Sequence, residues 1–181
     1  MSVPKFKIGV SGSMLTDDQE TLAKAKVIGE EIAKNNCILL YGAGLGFPKY
    51  SAKGALAKGG TVVGISPAQN INDHANSFNF VPLFGEVTIF TGLGLHARDV
   101  VFVRSSDAVI FIGGGEGSLL EFTVSYRLNK VIGLLLGSGG ITDHLEEIKS
   151  WFYKKPGVNP VIVKSKDPKE LVQKVLEKLT I

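Results

Sequence analysis

Short runs of wholly apolar residues alternate along the chain with segments whose apolar positions recur every three or four residues. The first kind has the composition of strands buried on both faces, the second the periodicity of amphipathic helices. Residues 5–10 form the first predicted strand. A helix follows from Thr16, with Gln19 three residues on as a capping-box partner and Leu22, Ala25, Ile28 and Ile32 on one face, up to Asn35 and Asn36. Residues 37–41 are a second strand, and a helix starting near Pro48 stops at Gly59 and Gly60. Strands over 61–65, 87–90, 108–112, 131–136 and 161–163 continue the series. Helices are predicted over about 95–104, from the glycines after Ile112 to near Asn129, from Thr142 or Asp143 to about Lys154, and from Asp167 onward. Such alternation predicts a single domain of the α/β class: a three-layer, doubly wound, mainly parallel sheet, Rossmann-like in outline. Residues 66–84 break the pattern with Pro67, Asn70, Asn72, Asp73, Asn76, Asn79 and Pro82, and are expected to be an irregular lid or binding loop.

Glycine marks the turns that leave strand C-termini: Gly12, residues 42–46, residues 92–94 and residues 113–117. In an open parallel sheet these turns lie along one edge, and ligands bind in the crevice where the strand order reverses. The turn after Ile112 is the densest. A strand that empties through Gly113, Gly114 and Gly115 into a helix brings backbone close to an anion and offers it unpaired N–H groups. One or two glycines suffice for a turn, and each further one costs roughly 0.5–1 kcal/mol of folding entropy. The predicted ligand contacts are Gly12, Ser13, Gly42, Gly44, Gly114, Gly115, Glu116, Gly117 and Ser118. Arg98 and Glu121 are the two charged candidates for chemistry at that edge. Each has a plainer alternative: Ser118-x-x-Glu121 is also a capping-box pattern, and Arg98 also suits an exposed helix face.

Composition narrows the function classes. Hydrophobic residues at 44% and charged residues at 20% describe a chain with a full core. A formal charge of +3, with Lys and Arg scattered, gives no basic stripe for nucleic acid. The single cysteine, Cys37, permits no internal disulfide and falls in a predicted strand. No apolar run spans a bilayer and no leader-like segment opens the chain, so a cytoplasmic protein is expected. The first turn is Ser11-Gly12-Ser13 and Tyr41 ends the second strand, which argues against a dinucleotide fingerprint; no Walker lysine follows any glycine turn. His74, His96 and His144 lie far apart in sequence, and no metal site is expected.

Residues 42–46, 51–57, 59–67, His96-Ala97-Arg98, and 114–121 together resemble the LOG (LONELY GUY) family, over most of the length between Ile8 and Leu136. The last block is similar to that family's P-G-G-x-G-T-x-x-E signature. The resemblance implies a Rossmann-like fold, a homodimer or higher homo-oligomer, and hydrolysis of the N-glycosidic bond of nucleoside 5′-monophosphates, with Arg98 and Glu121 as catalytic residues. Pyridoxal chemistry, implied by an older lysine decarboxylase label for such proteins, has no support in these residues. Four positions depart from the signature: Gly113 for its proline, Ser118 for its threonine, Leu120 for a glutamate, and Asp99 for the lysine after the arginine. These departures look closer to a branch similar to molybdenum cofactor carriers, which implies a bound nucleotide or phosphorylated pterin, no required cofactor and no catalysis. Either way the expected partner is a small phosphorylated ligand, with neither nucleic acid nor membrane.

Overall fold

The computed structural model describes residues 6–153 and 155–179. Its strands are β1 (Lys7–Gly12), β2 (Ile38–Tyr41), β3 (Thr61–Ser66), β4 (Val87–Phe90), β5 (Ala108–Ile112), β6 (Val131–Leu135) and β7 (Ile162–Ser165). They form one sheet in the order β4-β3-β2-β1-β5-β6-β7, with every neighbouring pair parallel. Parallel neighbours need crossovers, and six helices supply them: α1 (Gln19–Lys34), α2 (Gly46–Ala57), α3 (Ile71–Asn76), α4 (Gly94–Ser105), α5 (Glu116–Arg127) and α6 (Leu145–Ser150); α7 (Pro168–Leu179) follows the last strand and packs back on the sheet. No helix among the described residues is long and apolar enough to cross a membrane.

Two apolar layers flank the sheet, and the period of two along each strand deals residues to them alternately. Along β5, Ala108, Ile110 and Ile112 join Leu22, Ile28 and Ile32 of α1 and Leu171, Val172 and Val175 of α7. Val109 and Phe111 face the other way, against Phe102 and Val103 of α4 and Phe122 of α5. All five residues of β5 and of β6 are buried, as continuous apolar runs require in a doubly covered sheet. The strand order reverses between β1 and β5, where Gly12 pairs with Ile112. Because α1 and α5 leave that point on opposite faces, a crevice opens there at the strand C-termini.

Several local expectations change on folding. Pairing with β5 extends the first strand to Gly12. Lys5, its expected start, and Lys154, the expected end of the sixth helix, lie outside the described residues. Asp18, not Thr16, caps α1: its carboxylate accepts from the Thr21 N–H at 3.1 Å and the Thr21 hydroxyl at 2.6 Å. Residues 66–84 are not wholly irregular. They contain the one-and-a-half-turn helix α3, capped by Asn70 accepting from Asp73 N–H. Asp143 caps no helix either. Its carboxylate accepts from Gly137 and Gly139 N–H at 2.8 and 3.0 Å and closes that glycine loop. The expected helix beyond it divides into a 3₁₀ turn, Gly140–His144, and the short α6.

Candidate functional site

The turn after β5 is held from three directions. Gly113 N–H donates to Ser138 Oγ at 2.8 Å, and Gly114 N–H donates to Ser13 Oγ at 2.7 Å. The Gly114 carbonyl accepts from Ile141 N–H at 2.9 Å. Gly114 has φ +95°, and a Cβ there would stand 2.2 Å from Ser118 Oγ, so the position admits no side chain. Helix α5 begins at Glu116 with Gly115 as its N-cap and no side-chain cap. Ser118 is therefore the third helical residue and Glu121 lies in the second turn, which removes the capping-box role for that pair. The first-turn N–H groups of residues 116–118 are left to face the crevice, at the positive end of the helix dipole.

The contrast with other helices is informative. Asp18, Asn70 and Asp167 cap α1, α3 and α7. The helices α2, α4, α5 and α6 start without a side-chain cap, and the first turns of α2, α4 and α5 border the crevice. A first turn that is uncapped toward a cleft keeps its donors for a ligand.

The crevice is a cleft of ≈ 430 Å³. All eleven residues predicted from the sequence line it: Gly12, Ser13, Gly42, Gly44, Arg98, Gly114, Gly115, Glu116, Gly117, Ser118 and Glu121. Their roles differ, however. Gly12 lets β1 and β5 converge, since a Cβ on it would lie 2.2 Å from the Ile112 carbonyl oxygen. Gly42 makes room for Arg98: a Cβ there would stand 1.8 Å from its Nη1. Ser13 ties the β1 turn to the glycine turn.

The sequence reasoning assigned no site role to Ser11 or Asp99, and these two decide the electrostatics. Arg98, Asp99 and Glu121 are 6%, 5% and 8% exposed. Arg98 Nε sits 3.4 Å from Asp99 Oδ1 and has no hydrogen-bond partner among the described residues. Ser11 makes a short hydrogen bond with Glu121 Oε2 and lies 3.1 Å from Ser118 Oγ. One hydroxyl proton cannot serve both contacts. Two arrangements satisfy every group: Ser118 donates to Ser11 and Ser11 to an ionised Glu121, or a protonated Glu121 donates to Ser11 and Ser11 to Ser118. Burial pushes the Glu121 carboxyl up to about 8, and the Asp99 charge pushes the same way, against Ser11 and Arg98. Burial raises Asp99 too, with Arg98 opposing. One arginine thus lies beside two carboxyls whose hold on a proton burial strengthens. The only sequence signal for this was Asp99 standing where the LOG resemblance expects lysine.

That proton has a pH signature. Glu121 is raised from an ordinary 4.5 to about 8, so the folded state holds more protons than the unfolded chain between those values. Stability is then greatest below 4.5 and is lost as pH rises through 8. Glu121→Gln, which mimics the neutral acid, should gain denaturation midpoint relative to the parent as pH goes from 5 to 9. A difference that stays flat across this range would mean that Glu121 is ionised throughout.

A second cavity, of ≈ 480 Å³, lies at the far end of α5 among Tyr126, Trp151, Phe152 and Tyr153, with Arg127 and Lys155 on its rim. It is slightly larger, but its lining holds no buried charge and no glycine turn.

Known proteins resemble this chain at the levels of sequence and fold. A protein of Archaeoglobus fulgidus is 39% identical over 130 residues, which is 72% of this chain and 80% of that one. The molybdenum cofactor carrier protein of Chlamydomonas reinhardtii is 28% identical with a TM-score of 0.75, over 98% of this chain and 100% of its own. The molybdenum cofactor binding protein of Rippkaea orientalis is also 28% identical, with a TM-score of 0.77 over 99% of this chain and 100% of its own. Residues 5–172 match the SLOG cluster4 family, and with that span covering nearly the whole of the sheet and its cleft, the chain belongs to the SLOG cluster4 family.

Proposed function

We propose that this protein is a carrier that binds a phosphorylated pterin, of the kind named for its structural neighbours, in the cleft between β1 and β5 and releases it unchanged. The phosphate would sit on the N–H groups that open α5, with Ser13 and Ser118 hydroxyls beside it and Arg98 as the counter-charge. Among the described residues no three His, Cys, Asp or Glu side chains are grouped to hold a metal ion. The cleft's donors suit the phosphate and ring of such a cargo, and its carboxyls give a metal no cluster of ligands.

The observation that carries this reading is the buried Arg98–Asp99 pair beside Glu121, whose own carboxyl burial pushes up to about 8. Hydrolysis of an N-glycosidic bond builds positive charge on the sugar, and a carboxylate is needed to stabilise it or to activate water. A carboxyl held up to about 8 serves neither role well at neutral pH. The competing reading, a LOG-type phosphoribohydrolase, is favoured by Arg98 and Glu121 lining one cleft.

The two separate cleanly in one experiment. Protein purified from a host that makes the molybdenum cofactor should release a phosphorylated pterin on denaturation, identified by mass spectrometry, in near-stoichiometric amount. The same protein incubated with AMP or GMP should liberate no free base. Base release that disappears in Glu121→Ala would overturn the carrier and restore the hydrolase.

A further inference from the structure

The cleft has two unlike halves. The floor is polar: Ser11, Arg98, Asp99, Glu121 and the start of α5. The rim opposite is apolar, formed by Met14 and Leu15 after β1, Leu45 and Pro48 at the start of α2, and Leu95 at the start of α4. On it Leu15 is 86% exposed, Met14 44% and Leu95 37%. A single exposed leucine needs no explanation, but three large apolar side chains around the mouth of one polar-floored cleft mark a binding surface.

The rim is also fixed relative to the floor. The Ser13 carbonyl, one residue before Met14, accepts from Phe47 N–H at 3.0 Å, and Ser13 N–H donates to the Ile112 carbonyl at 3.2 Å. Gly46, at φ +68°, permits this approach, because a Cβ there would lie 1.9 Å from the Ser13 oxygen. Ser13 Oγ meanwhile accepts from Gly114 of the glycine turn. Met14 and Leu15 are therefore displayed from the same residue that braces the phosphate end. Beside Met14 Sδ, the missing Cβ of Gly44 keeps space open between it and the Phe80 ring. The unpartnered, buried Nε of Arg98 independently points to a ligand in this cleft.

We infer that Met14, Leu15 and Leu95 are the ring-recognition half of the site: an apolar clamp that closes on the planar heteroaromatic ring of a phosphorylated ligand whose phosphate lies at α5. The thioether of Met14 adapts to an aromatic face, and Leu15 covers the ring's outer side. The clamp selects for flatness and apolar area, and the floor selects for charge. Open-chain or sugar phosphates satisfy only the second. This rests on the phosphorylated-ligand reading above.

Calorimetric titration with inorganic phosphate, ribose 5-phosphate, AMP and GMP tests it. In the parent protein the two ring-bearing probes should bind at least about tenfold tighter than ribose 5-phosphate, the gain expected from burying one or two apolar side chains. In Leu15→Ser and in Met14→Ser/Leu15→Ser the ratio of AMP to ribose 5-phosphate affinity should collapse toward one. Both residues are substantially exposed, and unchanged denaturation midpoints would confirm that the fold is intact. If the parent binds ribose 5-phosphate and AMP equally, or the ratio survives the double substitution, the clamp is wrong while phosphate binding stands. If none of the four probes binds, the phosphorylated-ligand reading fails and the clamp falls with it.

Discussion

Gly42→Ala should lower affinity for the phosphorylated ligand by roughly 10- to 100-fold while leaving the fold intact. The added methyl would stand 1.8 Å from Arg98 Nη1 and 2.8 Å from Cζ, distances that no real contact tolerates. What must yield is the guanidinium, a side-chain end, and not backbone. Arg98 is confined by Asp99 and by its own burial, so it leaves the position from which it meets the ligand. Loss of a hydrogen bond to a charged partner is worth about 1.5–3 kcal/mol, which converts to the fold-change above. Gly44→Ala tests a different contact: its methyl meets Phe80 and Met14 side-chain atoms, at 3.2 and 3.3 Å, so any loss of affinity there reports on the Met14 rim and not on Arg98. Titration of both variants, with Arg98→Ala and the Gly42→Ala/Arg98→Ala double variant, checks the argument. The double variant should be no worse than Arg98→Ala alone, because both substitutions remove one interaction. Parent-like affinity in Gly42→Ala would show that Arg98 has somewhere else to go.

Gly29→Ala should destabilise the fold, against what helix propensity alone predicts. Alanine is favoured over glycine inside a helix by about 1 kcal/mol. Gly29, however, sits in α1 where it meets α2, and a Cβ there would lie 1.8 Å from the Ser51 carbonyl oxygen and 2.6 Å from its carbon. Gly54 in α2 returns the relation, with a Cβ 2.1 Å from the Lys26 carbonyl oxygen. Between them Ser51 Oγ donates to the Ala25 carbonyl at 2.8 Å. Each glycine opposes backbone of the other helix, so relief requires the two axes to separate and their shared layer to loosen. Overpacking of this kind costs typically about 1–3 kcal/mol and more where backbone must move, so the clash exceeds the propensity gain. A net loss on the order of 2 kcal/mol lowers the melting temperature by roughly 4–8 °C in a chain of this size. Thermal denaturation would decide it, and a variant more stable than the parent would mean that propensity governs this position.

Much of the architecture is legible in the residue pattern. The runs at β4 and β5 have the predicted bounds, because the residues before and after them change character abruptly: Glu86 and Thr91 around one, Asp107 and Gly113 around the other. The cleft is legible as well, since glycine at the end of a buried strand has a limited set of uses. Capping is less so. Thr16, Asp18 and Asp143 all carry suitable oxygens, and which of them finds a helix N–H depends on where the chain has been brought, not on its own type.

What the sequence by itself determined is therefore the class of fold, the one glycine-lined edge, and eleven of the twenty residues that line its cleft. These follow from local rules: the side-chain period, the β-branched runs, and glycine at strand ends. Only the tertiary structure decided which of those residues are available to a ligand. Gly12 and Gly42 serve packing, while Glu121 caps nothing and has its carboxyl pushed up to about 8. The rise comes from burial and from the Asp99 charge on α4, against Ser11 of β1, which lies 110 positions away in sequence. Burial and approach between distant segments set the charge of the site, and neither is encoded by any stretch of sequence taken alone.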